Sequence, residues 1–371
     1  MKFTKILALV LCVVLCVSMF ASCGSLFKEN TIKIGATGPL TEDAASYGIS
    51  VKNGAKLAVK HLNEQDGLKF SFAILDDKAG AEDAATNYDT LADAGMQISL
   101  GGVTSGSGEA FAKKANAEGI FCMTPSGSAD PVISGLKYSF RLCFGDPDQG
   151  TLAAEKIKEG NYTNVGAIYD ESDPYSSGIY AAFKSKMAEL NISYNEQKFD
   201  KENKEDFSAQ AAALKDCDII FMPFYYTEAA LFINKAVEKQ SNAVFFGCDG
   251  FDGIADLVKD VTNKIMYITP FDANSTDSKV KSFVDAYKAE YNATPDQFAA
   301  DAYDVVMVLA AALKKAGVTE YTLTAAEIGN LVYDTVTASD FSYDGLTGDN
   351  MTWGTDGKCT KAPKIVTLSG N

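Results

Sequence analysis

The chain has 371 residues, 47% of them hydrophobic, and a formal net charge of −16. That length exceeds what one hydrophobic core ordinarily serves and points to two domains. The acidity argues against nucleic acid, which needs a basic footprint, and against lying flat on anionic lipid.

The first residues read as an export signal. Lys2 and Lys5 precede an apolar run, Ile6 to Phe20, which stops at Ala21-Ser22-Cys23-Gly24. The run is shorter than the ~20 residues a spanning helix needs. A cysteine directly after small residues resembles the lipobox of bacterial lipoproteins, although Phe20 stands where leucine is usual. That resemblance implies that residues 1–22 are removed and that Cys23 carries a lipid anchor ahead of a tether over 23–30. An ordinary secretory signal with Cys23 incidental is the alternative, and a transmembrane anchor is a third. Loss of Lys2 and Lys5 would take the net charge from −16 to −18.

Strands and helices then alternate. Thr31 to Gly35 reads as a strand, and Tyr47 to Asn63 as a helix from the spacing of Val51, Ala55, Ala58 and Leu62. Strands are expected at Phe70–Leu75, Ile98–Gly102 and Ile120–Met123, with helices at Ala81–Ala94 and Glu109–Glu118. The rhythm resumes with strands at Val165–Tyr169, Ile219–Met222 and Ala243–Phe246. Helices at Ser177–Leu190, Ser208–Lys215 and Leu231–Lys239 separate them. This alternation predicts an α/β fold with two doubly wound parallel-sheet lobes, split near Cys143–Gln149.

Past Cys23 the cysteines are Cys122, Cys143, Cys217, Cys248 and Cys359, without CxxC or metal-ligand spacing. Cys122 and Cys143 lie in neighbouring strand-like segments and could pair, but buried free thiols are the simpler reading. The single histidine, His61, has no evident Ser or Cys partner for nucleophilic catalysis. No metal, cofactor or catalytic set is expected.

In such sheets ligands bind beyond the carboxyl ends of the strands. The segments there are small and rich in hydroxyls: Thr104-Ser105-Gly106-Ser107-Gly108 and Thr124-Pro125-Ser126-Gly127-Ser128. Glycines let backbone N–H groups approach a ligand, and helix dipoles favour a small anion. The second series offers Tyr175, Tyr225 and Asp249 at corresponding ends. Amides on one lobe and a carboxylate on the other suit a zwitterion. Singly, each residue also has a plain structural reading: Ser105 or Ser107 as a helix cap, Asp249-Gly250 as a turn.

The chain resembles the leucine/isoleucine/valine-binding type of ABC-transporter substrate-binding protein, with its type I periplasmic-binding fold, over nearly all of residues 31–369. The resemblance runs through Ile34-Gly35-Ala36-Thr37-Gly38-Pro39-Leu40-Thr41 with Tyr47-Gly48, Asp76-Asp77, and Gly101-Gly102-Val103-Thr104-Ser105. It continues through Thr124 to Ser128, Phe140-Arg141, Asp148-Gln149-Gly150, Asp170 with Tyr175, Gly247-Cys248-Asp249-Gly250 and Tyr343 to Gly348. It implies crossings near 142–148, 269–275 and 348–353. The lobes would be 31–145 with 272–350 and 146–271 with 351–371.

By position, Ser105 and Ser128 would hold a ligand carboxylate and the Ser126 carbonyl would accept from its ammonium. Asp249 would be the acidic partner of that ammonium, and Tyr175 would meet the ammonium or the carboxylate from the same lobe. Tyr47, Val103, Thr104, Tyr225 and Phe298 would wall the side-chain pocket. Asp249 is one methylene shorter than the family's commoner glutamate, and Asp301 lies one helical turn beyond Phe298.

The resemblance implies a monomeric, lipid-anchored, non-enzymatic receptor that hands a neutral, aliphatic or branched-chain amino acid to an ABC permease. A sensory module that reports occupancy without transport is the alternative.

Overall fold

The computed structural model describes residues 25–368 except Lys259. The expected signal at 1–22 and the anchor at Cys23 lie outside the described residues. Within the expected tether, Phe27 is 3% exposed and packs against Tyr88, Leu91, Met96 and Phe111, so the chain docks on the first lobe almost at once.

The first lobe is built from β1 (Ile32–Gly38), α1 (Ala45–Glu64), β2 (Phe70–Asp76), α2 (Ala81–Asp93), β3 (Ile98–Gly102), α3 (Ser105–Glu118), β4 (Cys122–Thr124) and β5 (Ser139–Arg141). The strands form one parallel sheet in the order β2-β1-β3-β4-β5. All of β3 is buried, as a central parallel strand requires.

Helix α3 begins four residues earlier than expected, so the hydroxyl-rich segment after Thr104 is a helical first turn and not a loop. Gly102 permits this. A Cβ there would lie 2.6 Å from the Gly108 nitrogen, so only glycine lets the strand end meet the helix so closely.

The second lobe contains α4 (Asp146–Glu159), β6 (Val165–Asp170), α5 (Pro174–Glu189), β7 (Asn195–Phe199), α6 (Ser208–Leu214), β8 (Ile219–Met222), α7 (Tyr226–Glu238), β9 (Val244–Gly247) and β10 (Ile265–Thr269). Its sheet order is β11-β10-β9-β8-β6-β7, where β11 (Lys364–Leu368) runs antiparallel to β10 and the other pairs are parallel. The polar β7 sits at an edge, where charge discourages pairing with another chain.

Between β10 and β11 the chain returns to the first lobe as α8 (Ser278–Tyr291), α9 (Gln297–Lys315) and α10 (Ala325–Val336). Helix α9 inserts Phe298, Ala302, Val305 and Leu309 into the core beneath β1 and β3. It crosses α1 at Gly54, where a Cβ would lie 2.0 Å from the Ala299 carbonyl.

The third crossing differs from expectation. Met351 and Trp353 lie in the first lobe's core, and Trp353 Nε1 donates to the Arg141 carbonyl at 3.0 Å. The chain therefore leaves the first lobe after Cys359, shortly before β11, and not at 348–353. Burial of the only tryptophan outweighs the turn signals at Gly345 and Gly348. Cys122 and Cys143 are free and buried. Among the described residues no helix is long and apolar enough to cross a membrane.

Candidate ligand-binding site

The carboxyl ends of both sheets face each other across a cleft. β1 delivers Tyr47 at the start of α1, β3 delivers Val103, Thr104 and Ser105, and β4 delivers Ser126. From the other lobe, β6 leads to Tyr175 on α5, β8 to Tyr225 before α7, and β9 to Asp249. These residues, Phe298 of α9 and Gly250 line one cavity of about 10 Å³. Nine of the residues singled out in the sequence thus meet in one place.

Ser128 does not line it. Fully buried, Ser128 lies behind the site, where its carbonyl accepts from Arg141 Nη1 at 2.6 Å and from the Asp146 N–H at 3.1 Å. Asp301 does not line the cavity either; it is paired with Lys361.

Asp249 is the one charged side chain among the lining residues. Its Oδ1 accepts from the Tyr175 hydroxyl at 2.6 Å and from Gln149 Nε2 at 3.0 Å. Its own N–H donates to Gln149 Oε1 at 3.0 Å, and its carbonyl accepts from Gln297 Nε2 at 2.6 Å. Burial pushes the Asp249 carboxyl up to about 6, against the lowering effect of the Tyr175 and Gln149 bonds. At neutral pH it is mostly ionised and, among the described residues, forms no salt bridge with a cation, which suits an ammonium.

Gln149 and Gln297 were not given roles from sequence. Their function is to hold Asp249, and glutamines at the start of two helices carry no local signal of that.

Opposite Asp249, Thr104 makes no side-chain capping bond to α3, whose first residue, Ser105, lines the cavity. The Thr104 hydroxyl turns instead to Ser107 at 2.8 Å. First-turn amides and the helix dipole therefore favour an anion on this side. Ser126 Oγ donates to the Val103 carbonyl at 2.7 Å, which binds the two loops into one wall.

Aromatic rings complete the enclosure. Tyr47 lies against Phe298 with ring centroids 4.3 Å apart, and Tyr175 stacks on Tyr225 at 5.0 Å.

The two lobes are closed on each other. The Tyr47 hydroxyl donates to the Gly250 carbonyl at 2.5 Å and accepts from the Tyr226 N–H at 3.2 Å. The cavity has room for about one water, so a larger solute enters only when the lobes part.

At the outer edge Lys204 bridges Asp43 of the first lobe at 2.8 Å and Glu228 of the second at 2.9 Å. Tyr226 and Thr227 hydroxyls both donate to the Asp43 carbonyl at 2.9 Å. Outside lies a wider cleft of about 620 Å³ that includes Asp170, Asp173, Lys201 and Lys204. Lys204→Ala is expected to weaken ligand binding about two- to fivefold, mainly by faster release, with the effect fading in high salt. Stopped-flow dissociation at two ionic strengths measures it. A second cavity, of about 480 Å³ beside Leu62, Phe70 and Tyr321, lies at the opposite end of β2 and away from these groups.

Two largely parallel-sheet lobes, closed over a cavity with one acid and facing helix amides, define a solute-trapping protein. The family model described as "Periplasmic binding protein" matches residues 31–370, and the chain belongs to that family. Membership places it among extracytoplasmic solute-binding proteins and not among enzymes.

It is 28% identical to the leucine-, isoleucine-, valine-, threonine- and alanine-binding protein of Pseudomonas aeruginosa, over 78% of this chain and 79% of that protein. The branched-chain amino acid transporter substrate-binding protein LivJ of Streptococcus pneumoniae, solved with isoleucine, is 27% identical with a TM-score of 0.81. That match covers 92% of this chain and 97% of the other. A leucine-binding protein of Thermotoga maritima shares the fold at a TM-score of 0.81 and 24% identity, over 91% of this chain and 95% of that one.

Proposed function

We propose that the protein captures a neutral aliphatic amino acid, of the branched-chain type, between its lobes and delivers it to an ABC permease. The observation that carries this reading is the pairing of an ionised, cation-free Asp249 with the facing amides of α3 across one closed cavity. An α-ammonium pairs with Asp249 and the Ser126 carbonyl, with Tyr175 alongside. The α-carboxylate takes the Ser105 side, backed by Ser128. Tyr47, Val103, Thr104, Tyr225 and Phe298 surround the side chain. The names of the Pseudomonas and Streptococcus relatives support this ligand class.

The two lobes move as hinge units: 31–145 with the 272–359 return on one side, 146–271 with the final strand β11 on the other. Ligand binds the closed form better and so draws the lobes together, and the permease reads that form.

The chain works as a monomer held to the membrane through a lipid on Cys23. The docked Phe27 lies four positions after Cys23, a reach of about 14 Å at full extension. That keeps the first lobe next to the bilayer and raises the effective concentration of loaded receptor at the permease.

Titration calorimetry of all twenty amino acids, on protein stripped by unfolding and refolding, tests the assignment. Leucine, isoleucine or valine is expected to give the tightest binding, and acidic and basic amino acids none. Silence across the panel would overturn the amino-acid reading.

A further inference from the structure

Gln297 is the first residue of α9 and only 2% exposed. The helix it opens belongs to the first lobe, with Phe298, Ala302, Val305 and Leu309 in that lobe's core. Asp296, just before it, caps the helix through the Ala299 N–H at 2.9 Å and accepts from the Ser50 hydroxyl of α1 at 2.6 Å. The start of α9 is therefore fixed to the first lobe.

The Gln297 N–H and both ends of its side-chain amide nevertheless bond to the second lobe. The N–H donates to Asp252 Oδ2 at 2.8 Å, Nε2 donates to the Asp249 carbonyl at 2.6 Å, and Oε1 accepts from the Thr269 hydroxyl at 3.0 Å. Asp252 follows Phe251 of the second lobe's core, and its other oxygen accepts from the Tyr267 hydroxyl of β10 at 3.3 Å. Thr269 ends β10, where the chain crosses back to the first lobe.

Helix α9 is thus capped from two bodies. A first turn leaves its N–H groups without partners inside the helix. Asp296 serves one of them from its own lobe, and Asp252 serves another from the facing lobe. Gln297, Asp252 and Thr269 are not among the residues lining the cavity, so these bonds form without touching the ligand. The next residue continues the same seam: a Cβ on Gly253 would lie 3.9 Å from Ser46 Oγ of the first lobe.

The two glutamines on Asp249 therefore differ in what they report. Gln149 lies on α4 of the second lobe and moves with Asp249, so it holds the carboxyl and the N–H whether the lobes are open or shut. Gln297 comes from the other lobe and reaches the Asp249 carbonyl when the lobes are together. Rigid-body parting of the lobes draws these groups apart and hands them to water. Closure excludes that water, and a group then left without its partner bears the full desolvation penalty.

We propose that Gln297 is a positioning residue for ligand capture and the latch of the closed form: it joins Asp249 and Asp252 to the first lobe as the lobes shut, so that the ligand acid is fully seated only in the state that traps the ligand. Its effect falls on release. Encounter takes place with the open form, before these bonds exist, whereas escape requires that they break. This rests on the amino-acid reading above.

The test is stopped-flow binding of L-isoleucine to the stripped full chain carrying Thr269→Val. Thr269 is uncharged, hydrogen-bonds to Gln297 and Phe271 and not to Asp249, and does not line the cavity. Dissociation is expected to speed up about three- to tenfold, with association within about twofold of the parent. Gln297→Leu is expected to speed release about ten- to a hundredfold, and adding Thr269→Val to it to change release by less than about twofold, because the shared partner is already gone. Unchanged release in Thr269→Val, a loss confined to association, or full additivity of the two substitutions would overturn the inference while isoleucine binding stands. No binding by any amino acid would overturn the amino-acid reading and this inference with it. Should Thr269→Val not fold, amide hydrogen exchange of the parent decides. The Gln297 N–H must exchange more slowly with isoleucine than without, while the Ala299 N–H, bonded within one lobe, changes little. Equal protection of Gln297 in both states would overturn the latch.

Discussion

Lys361→Met is expected to destabilise the protein by about 3–5 kcal/mol. The Lys361 side chain is completely buried on the last crossing, and its ammonium pairs with Asp301 of α9, whose side chain is 4% exposed. Burial pushes the Asp301 carboxyl up, and the Lys361 charge and hydrogen bond hold it back. With the lysine gone, a carboxyl remains in a site that excludes water and lacks its cation. The desolvation cost then goes unopposed, which is why breaking one side of a buried pair costs more than the pair itself contributes.

Asp301→Asn combined with Lys361→Met is therefore expected to recover part of the loss, because no bare charge stays behind. Urea unfolding of the parent, the two single variants and the double variant measures the coupling. A single Lys361→Met cost below about 1 kcal/mol would mean that the pair is effectively exposed in solution.

Asp249→Asn is expected to lower amino-acid affinity by about 1.5–3 kcal/mol, roughly ten- to 150-fold. The carboxylate is already oriented by Tyr175 and Gln149, so the variant removes charge while leaving shape almost unchanged. The pH dependence carries the same signature. The parent's affinity should fall as pH drops through about 6, because a protonated Asp249 cannot pair with the ammonium. Asp249→Asn should lose that acid limb. Calorimetric titration between about pH 5 and 7 reads both effects. An Asn variant as tight as the parent would place the ammonium elsewhere.

Much of the site could be read in the chain because strand ends are local features. Val103, Thr104, Ser105 and Ser126 follow their strands directly, as do Tyr225 and Asp249, and parallel topology places all such ends on one side of a sheet. Phe298 and Tyr47 came from a resemblance and not from spacing, since each sits on a helix whose approach to the cleft no local pattern encodes. Gln149 and Gln297 were missed for a related reason. Their value lies in bonds to Asp249, 100 and 48 residues away in sequence.

The sequence alone determined the alternation of strands and helices and the small, hydroxyl-rich turns that end the strands. Those depend on periodicity and backbone freedom within a few residues. Tertiary structure decided what depends on closure. It moved the last crossing beyond Trp353, docked Phe27, buried Lys361 against Asp301, and joined Gln297 of one lobe to Asp249 and Asp252 of the other. These are pairings between distant segments, and their energies come from excluding water. A residue list does not reveal which side chains lose their solvent until the chain has folded around them.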